Sequence, residues 1–90
     1  MSETTTVTFT VLGTQPVRGA GRLVGLANVE VVLDGVAITL QGIGIMRERD
    51  GNLTCKAPVF RYTDGTWLPA VVLPPELGKA IAAEVLGAFR

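Results

Sequence analysis

Few side chains in this sequence could carry out chemistry. The most informative observation is which residue types are missing. The chain contains no histidine and a single cysteine, Cys55. Ser–His–Asp and Cys–His catalytic arrangements both need a histidine as general base, so the composition excludes them. It also excludes the usual zinc sites, which combine several cysteines and histidines. We therefore expect a protein that is not an enzyme and that has no metal, no cofactor and no small-molecule substrate.

Three of the carboxylates have a structural explanation. Asp34, Asp50 and Asp64 each precede a glycine. Asp-Gly pairs favour tight hairpin turns, because those turns need a positive φ that glycine adopts freely and aspartate tolerates. Aspartate side chains in turns also accept hydrogen bonds from nearby backbone amides. We expect these carboxylates to serve turns, and an acid–base pair is the less favoured interpretation.

The remaining chemistry-bearing side chains are basic. Four of them fall on or beside the predicted third and fourth strands: Arg47, Arg49, Lys56 and Arg61. Phe60, Tyr62 and Trp67 are close to them in sequence. Basic residues interleaved with aromatic ones are typical of sheet surfaces that hold single-stranded nucleic acid, through phosphate contacts and base stacking. Glu48 and Asp50 lie among these cations, and a core role for Trp67 is the competing interpretation.

The composition is that of one small, unusually apolar chain with no net charge. Its 90 residues are 48% hydrophobic, and eight Lys and Arg balance eight Asp and Glu. One domain of this length has too little interior to hide so much apolar surface, which predicts a homodimer; a monomer with an apolar surface is the alternative. A net charge of zero provides no general attraction to nucleic acid or to an anionic membrane, so such binding would need a local basic patch.

The sequence also indicates a compartment. A lone Cys55 cannot form an internal disulfide, which is typical of a reducing environment. It alternates in phase with Leu53, Ala57 and Val59, which predicts a core thiol rather than a reactive one. The first residues lack the basic start and apolar core of a signal peptide. The longest uncharged apolar run, 35–46, is too short to cross a bilayer as a helix, and we expect a cytoplasmic protein without a membrane partner.

The elements that must position these residues follow from turns and periodicity. Segments rich in β-branched and aromatic residues lie between the turns and predict five strands, at 4–12, 22–33, 36–48, 52–62 and 66–73, with an early loop at 19–21. Short turns make consecutive strands antiparallel neighbours, so the predicted sheet is a meander. The apolar phase of the third strand changes at Gln41-Gly42. A β-bulge and a plain bend both explain that change.

The last segment, 75–89, has the pattern of a helix. Pro75 suits the first helical position, where its missing N–H removes no hydrogen bond. Leu77, Ile81, Val85 and Phe89 repeat every four residues and form one apolar stripe that can cover the sheet. The chain is thus predicted to be a single α+β domain, 1–90, with an antiparallel meander of about five strands and one C-terminal helix packed on it.

The order of these segments resembles the stage V sporulation protein G (SpoVG, septation regulator) family from residue 21 onward. The similarity lies in 21–23 (Gly-Arg-Leu), 27–34 (Ala-Asn-Val-Glu-Val-Val-Leu-Asp), 43–45 (Ile-Gly-Ile), 51–58 (Gly-Asn-Leu-Thr-Cys-Lys-Ala-Pro), Asp64-Gly65 before Trp67, Leu73-Pro74 and Val85-Leu86. The resemblance implies a small dimeric β-sheet protein with a C-terminal helix. It also implies a bacterial regulator that binds DNA or RNA, with basic residues near the helix contributing.

Two functions follow as expectations. The first is a homodimeric regulator that binds DNA or RNA mainly through backbone phosphates, using Lys79 and Arg90 of the helix in addition to the four basic residues of the sheet. The second is a protein–protein interaction module with the same fold that does not bind nucleic acid. The sparse charge of the helix favours the second, and salt dependence of nucleic-acid binding would separate the two.

Overall fold

The computed structural model describes residues 6–89, and within that range the chain forms one long sheet, a small hairpin and a helix. The elements in chain order are β1 (Val7–Ala20), β2 (Leu23–Leu33), β3 (Val36–Arg47), β4 (Leu53–Lys56), β5 (Val59–Arg61), β6 (Trp67–Pro69) and α1 (Pro75–Phe89). Strands β1 to β4 form an antiparallel sheet in sequence order, while β5 pairs only with β6. The predicted α+β class, with an antiparallel meander and a C-terminal helix, is confirmed.

The first strand is longer than the predicted range 4–12. Positions 4 and 5 of that range lie outside the described residues, and β1 begins at Val7 and continues to Ala20. The predicted loop at 19–21 is therefore wrong for its first two residues. Pro16 is compatible with this strand because β1 is an edge strand, where a missing N–H on the outer side removes no ladder hydrogen bond.

The change of phase in the third strand is a β-bulge. Val29 pairs with Leu40 and Ala27 pairs with Ile43, so two residues of β3, Gln41 and Gly42, lie opposite Asn28 alone. Gly42 has a φ of 81°, and its backbone N–H donates to Oδ1 of Asn28 at 3.1 Å. This is the conformation that glycine adopts without a steric cost. The bulge interpretation is confirmed over the plain bend.

The predicted fourth strand, 52–62, is divided into two. Lys56 ends β4 in the main sheet and Val59 begins β5 in the hairpin, with Ala57 and Pro58 between them. Proline cannot donate to a ladder, which accounts for the interruption at this point. The last predicted strand, 66–73, shortens to Trp67–Pro69.

The helix packs on one face of the main sheet and encloses the core. The buried side chains are Ala27, Val29, Val31, Leu40, Ile43, Ile45, Ile81 and Val85. Leu77 and Phe89 are half-buried against them, so the predicted apolar stripe of the helix is confirmed. Within residues 6–89, no helix is both long enough and apolar enough to cross a membrane.

The helix does not reach the end of the sheet next to the β2–β3 turn. Ile38 pairs with Val31 and Val36 pairs with Leu33, which places them on the same face as the core. Val36 is nevertheless 62% exposed and Ile38 is 43% exposed. The apolar face of the sheet therefore extends beyond the area that α1 covers.

Candidate nucleic-acid interface

The predicted cations that follow β3 lie at one end of the main sheet. Arg47 is the last residue of β3 and Arg49 lies in the turn that follows, and both are exposed. The turn itself is ordered by Asp50, whose carboxylate accepts hydrogen bonds from the backbone N–H and the side-chain amide of Asn52, both at 2.9 Å. The expectation that Asp50 serves a turn is confirmed, and the turn presents the two arginines to solvent.

A third arginine, Arg22, joins this end of the sheet. Its Nε donates to the backbone oxygen of Arg47 at 3.4 Å, and its guanidinium forms an ion pair with Glu48. Glu48 also accepts a hydrogen bond from the hydroxyl of Thr54 at 2.8 Å. The acid that competes with the cations is thus engaged by Arg22 and Thr54, and neither Arg47 nor Arg49 forms a salt bridge within residues 6–89.

Sequence reasoning did not include Arg22 among the candidate residues. The signal that could have found it is the Asp34-Gly35 turn, because counting outward from that turn along two antiparallel strands brings residue 22 opposite residue 47. The structure joins these two residues by a backbone hydrogen bond, from the N–H of Arg47 to the oxygen of Arg22 at 2.8 Å.

Arg61 lies on the hairpin of β5 and β6, which no other strand or helix among the described residues packs against extensively. Its cross-strand partner is Trp67, so the two side chains share one face of the hairpin. The indole is 63% exposed. An exposed aromatic ring beside a guanidinium can stack on a base while the cation contacts a phosphate.

The opposite face of the hairpin also carries aromatic residues. Phe60 and Tyr62 pack edge to face with their ring centroids 6.5 Å apart. They are 44% and 53% exposed. Both faces of the hairpin therefore present aromatic surface to solvent.

The turn between β5 and β6 is organised by Asp64. Its carboxylate accepts hydrogen bonds from the hydroxyl of Thr66 and from the backbone N–H of Thr66 at 2.9 Å. The hydroxyl first, and then the amide, hold the pKa of Asp64 below its ordinary value. This carboxylate serves the turn, as predicted.

The two lysines of the predicted site lie apart from the arginines at the end of the sheet. Lys56 ends β4 and pairs with Gly44, and a Cβ at Gly44 would lie 3.6 Å from the Cβ of Lys56, which directs this side chain to the face away from the helix. Lys79 lies in the first half of α1, exposed, at a groove between the helix and β4. Arg90 lies outside the described residues.

The structure therefore distributes the predicted cations over three places: the end of the sheet with Arg47 and Arg49, the hairpin with Arg61, and the region of β4 and α1 with Lys56 and Lys79. It brings only the first pair together, with Arg47 at the end of β3 and Arg49 in the turn that follows. Residues 6–89 contain no group of three or more side chains that could hold a metal ion.

Cys55 lies at the same groove as Lys79. It is half-buried, and its thiol is 4.0 Å from the backbone oxygen of Ala82. Burial raises the pKa of this thiol, so its reactive thiolate form is disfavoured. This agrees with the predicted core thiol.

Comparison of the chain with protein-family models, with curated proteins and with solved structures finds no match.

Proposed function

We propose that this protein is a small homodimeric regulator that binds single-stranded DNA or RNA, with contacts mainly to backbone phosphates and bases stacked on the hairpin. The observation that carries the proposal is the pairing of Arg61 with Trp67 on a projecting hairpin with exposed aromatic side chains on both faces. Stacking is tolerant of sequence because every base has a π-face, and phosphate contacts are independent of sequence. The proposal places the protein in the cytoplasm, where a free cysteine stays reduced.

The arginines at the end of the sheet supply additional phosphate contacts. Arg47 and Arg49 are exposed, and the nearby Glu48 is already paired with Arg22. Lys56 and Arg90 complete the proposed set of cations, whereas Lys79 lies apart from them at the groove between the helix and β4. A dimer would present each group twice, and this compensates for a chain whose net charge is zero.

Fluorescence anisotropy with labelled single- and double-stranded DNA and RNA, at low and then physiological salt, tests this function. We expect saturable binding of single strands that weakens steeply with salt, because cation–phosphate contacts release counterions. Replacing Trp67→Ala should weaken binding by about fivefold to a hundredfold, the range of one lost base stack. Replacing Arg61→Gln should reduce the salt slope by about one, the value of one phosphate contact.

Val72→Ala is the matched control. Val72 is 85% exposed and lies outside the hairpin strands, so this substitution also removes exposed apolar surface. It should leave the affinity unchanged. Binding that is absent at low salt would refute the proposed function, and equal losses in Trp67→Ala and Val72→Ala would refute the hairpin as its site.

A further inference from the structure

A groove with a volume of about 510 Å³ lies between the edge strand β4 and the helix. One wall is formed by the consecutive residues 53–58, which include all of β4. The facing wall is formed by one side of α1, where Gly78 and Ala82 are small. A Cβ added at Gly78 would have no atom within 4 Å, so the helix leaves the space beside it open.

The edge of β4 offers unpaired backbone groups along this groove. Within residues 6–89, β4 pairs with β3 on one side only. Glu48 donates its backbone N–H to the oxygen of Asn52 at 2.8 Å, which marks a hydrogen-bonded pair. Hydrogen-bonded and non-hydrogen-bonded pairs alternate in an antiparallel ladder, so the N–H and C=O groups of Leu53 and Cys55 turn outward. An exposed row of such groups is a template for another strand.

The character of the lining indicates which kind of ligand fits. The residues around the groove are mainly apolar, and the charged ones are Lys56 and Lys79, without any carboxylate. Because the Cβ of Lys56 lies on the other face of the sheet, Lys79 is the cation best placed at the groove. The lining includes no aromatic ring on which a base could stack. Apolar side chains and a carboxylate therefore match this surface better than a nucleotide does.

We propose that this groove binds an extended, acidic segment of a partner protein, which adds to the edge of β4 as a further strand. The backbone of the segment pairs with Leu53 and Cys55, its alternate apolar side chains enter the groove, and a carboxylate approaches Lys79. Main-chain hydrogen bonds supply affinity in this mode of recognition, and the pockets for alternate side chains supply specificity. The inference does not depend on nucleic-acid binding by the hairpin.

A displayed library of random peptides, selected against the purified chain, tests the proposal. We expect enrichment of sequences in which apolar residues alternate and an aspartate or glutamate recurs at a fixed position. Failure to enrich any such sequence would overturn the inference. The enriched peptide, made with a fluorescent label, then becomes the probe for titrations with variants of the chain.

Gly78→Leu fills the groove from the helix side and should weaken binding of the peptide by at least about tenfold, as expected for a steric block in a packed site. Gly87→Leu is its matched control, because Gly87 lies in the same helix with open space at its Cβ and does not line the groove. It should bind as the wild type does. Equal affinity in Gly78→Leu and the wild type would overturn the site.

Lys79→Glu serves as a second variant that does not depend on tolerance of a larger side chain. Selection against it should reverse the preference from acidic to basic peptides, whereas Arg18→Glu, on the opposite edge strand, should leave the acidic preference intact. An unchanged acidic preference in Lys79→Glu would contradict the assigned charge pair.

The added strand has its own test. N-methylation of the peptide backbone at alternate residues should weaken binding in one phase and leave it unchanged in the other, because only alternate amides face β4. Equal effects in both phases would overturn strand addition. Displacement of the peptide by a single-stranded oligonucleotide, with Gly78→Leu weakening both ligands, would instead assign the groove to nucleic acid and overturn the proposal.

Discussion

At the scale of single residues, Asn28 organises the middle of the sheet. It lies between two interruptions of the ladder, since Leu12 is an extra residue in β1 beside it and Gln41-Gly42 form the bulge of β3. Its side-chain oxygen accepts a hydrogen bond from the backbone N–H of Gly42, which lies in the bulge. A backbone N–H without a ladder partner needs such an acceptor. An exposed amide side chain thereby holds two neighbouring strands in their register.

The positive φ of Gly42 predicts the effect of a small substitution. Gly42→Ala should lower the free energy of unfolding by about 1–2 kcal/mol, since the left-handed conformation costs an L-residue that amount. Gly13→Ala is the control, because Gly13 pairs with Asn28 from the other side and a Cβ there meets nothing within 4 Å, without a positive φ. It should change stability by less than about 0.5 kcal/mol. Urea denaturation measures both, and equal effects would contradict the argument.

Residue types alone predicted the roles of several side chains. The turn roles of Asp50 and Asp64 follow from short-range chemistry, in which a carboxylate meets amides two residues away. The ion pair of Arg22 with Glu48 joins residues that are distant in sequence. It depends on the register of β2 and β3, which can be counted outward from the Asp34-Gly35 turn but does not follow from the types of the two residues.

At the scale of elements, the end of α1 comes close to the sheet at Gly25. A Cβ at this position would lie 2.6 Å from Cε1 of Phe89 and 3.2 Å from Cδ1 of Ile45. The glycine lets the ring of the last helical residue lie directly against the backbone of β2. We therefore expect this contact to help position the end of the helix on the sheet.

This close approach makes Gly25→Ala a test of helix docking. The added methyl group should lower the free energy of unfolding by about 1–3 kcal/mol, the usual cost of overpacking. In a Phe89→Leu background the cost should be smaller, because the ring that the methyl group meets is gone. A double-mutant cycle by urea denaturation measures the coupling. Additive effects would show that Gly25 and Phe89 do not interact.

The boundaries of elements were predictable where the periodicity was uninterrupted. The helix matches its predicted range, 75–89, since a proline at its first position and a regular apolar stripe act together. The predicted strand 52–62 continues its alternation through Pro58, so the pattern does not reveal that the chain leaves the sheet there. Membership of one sheet or another depends on long-range pairing.

At the scale of the whole molecule, the chain is extended for its size. Its radius of gyration is 14.2 Å, whereas a compact domain of this length has one of about 12 Å. It exposes 6479 Å² of surface, compared with roughly 5,000 Å² for a typical monomer of its mass. The exposed apolar surface of the hairpin belongs to the proposed nucleic-acid site, and a separate uncovered apolar surface lies at the end of the sheet around Val36 and Ile38. These features support the proposed homodimer.

The uncovered end of the sheet gives a direct test of association. Light scattering coupled to gel filtration should give twice the 9.5 kDa chain mass for the wild type. Ile38→Lys should shift the mass toward the monomer, because a charge would replace apolar contact at the interface. Thr39→Lys adds the same charge to the opposite face and should remain dimeric. A wild-type mass of one chain would contradict the dimer.

The residues of the predicted site follow from local sequence patterns, whereas their grouping in space follows from long-range strand pairing. Interleaving of basic and aromatic residues places Arg61 and Trp67 in the predicted site, and adjacency in the sequence suggests a single cluster of cations. The break at Pro58 sends Arg61 into a separate hairpin while Arg47 and Arg49 remain at the main sheet. Spatial grouping could not be predicted, since it follows from where the chain changes sheets.

The bulge of β3 has a counterpart in β2. Together the two irregularities constrain the lengths of both strands during evolution. Val24 is an extra residue in β2, as Gln41-Gly42 contain one in β3, so the two offsets cancel and Leu23 again meets Met46. A deletion in either strand alone would slide Arg22 away from Arg47 and Glu48. Insertions and deletions in β2 and β3 should therefore be accepted in matched pairs over evolution, and an unmatched change would mark a lineage in which this end of the sheet has acquired a different role.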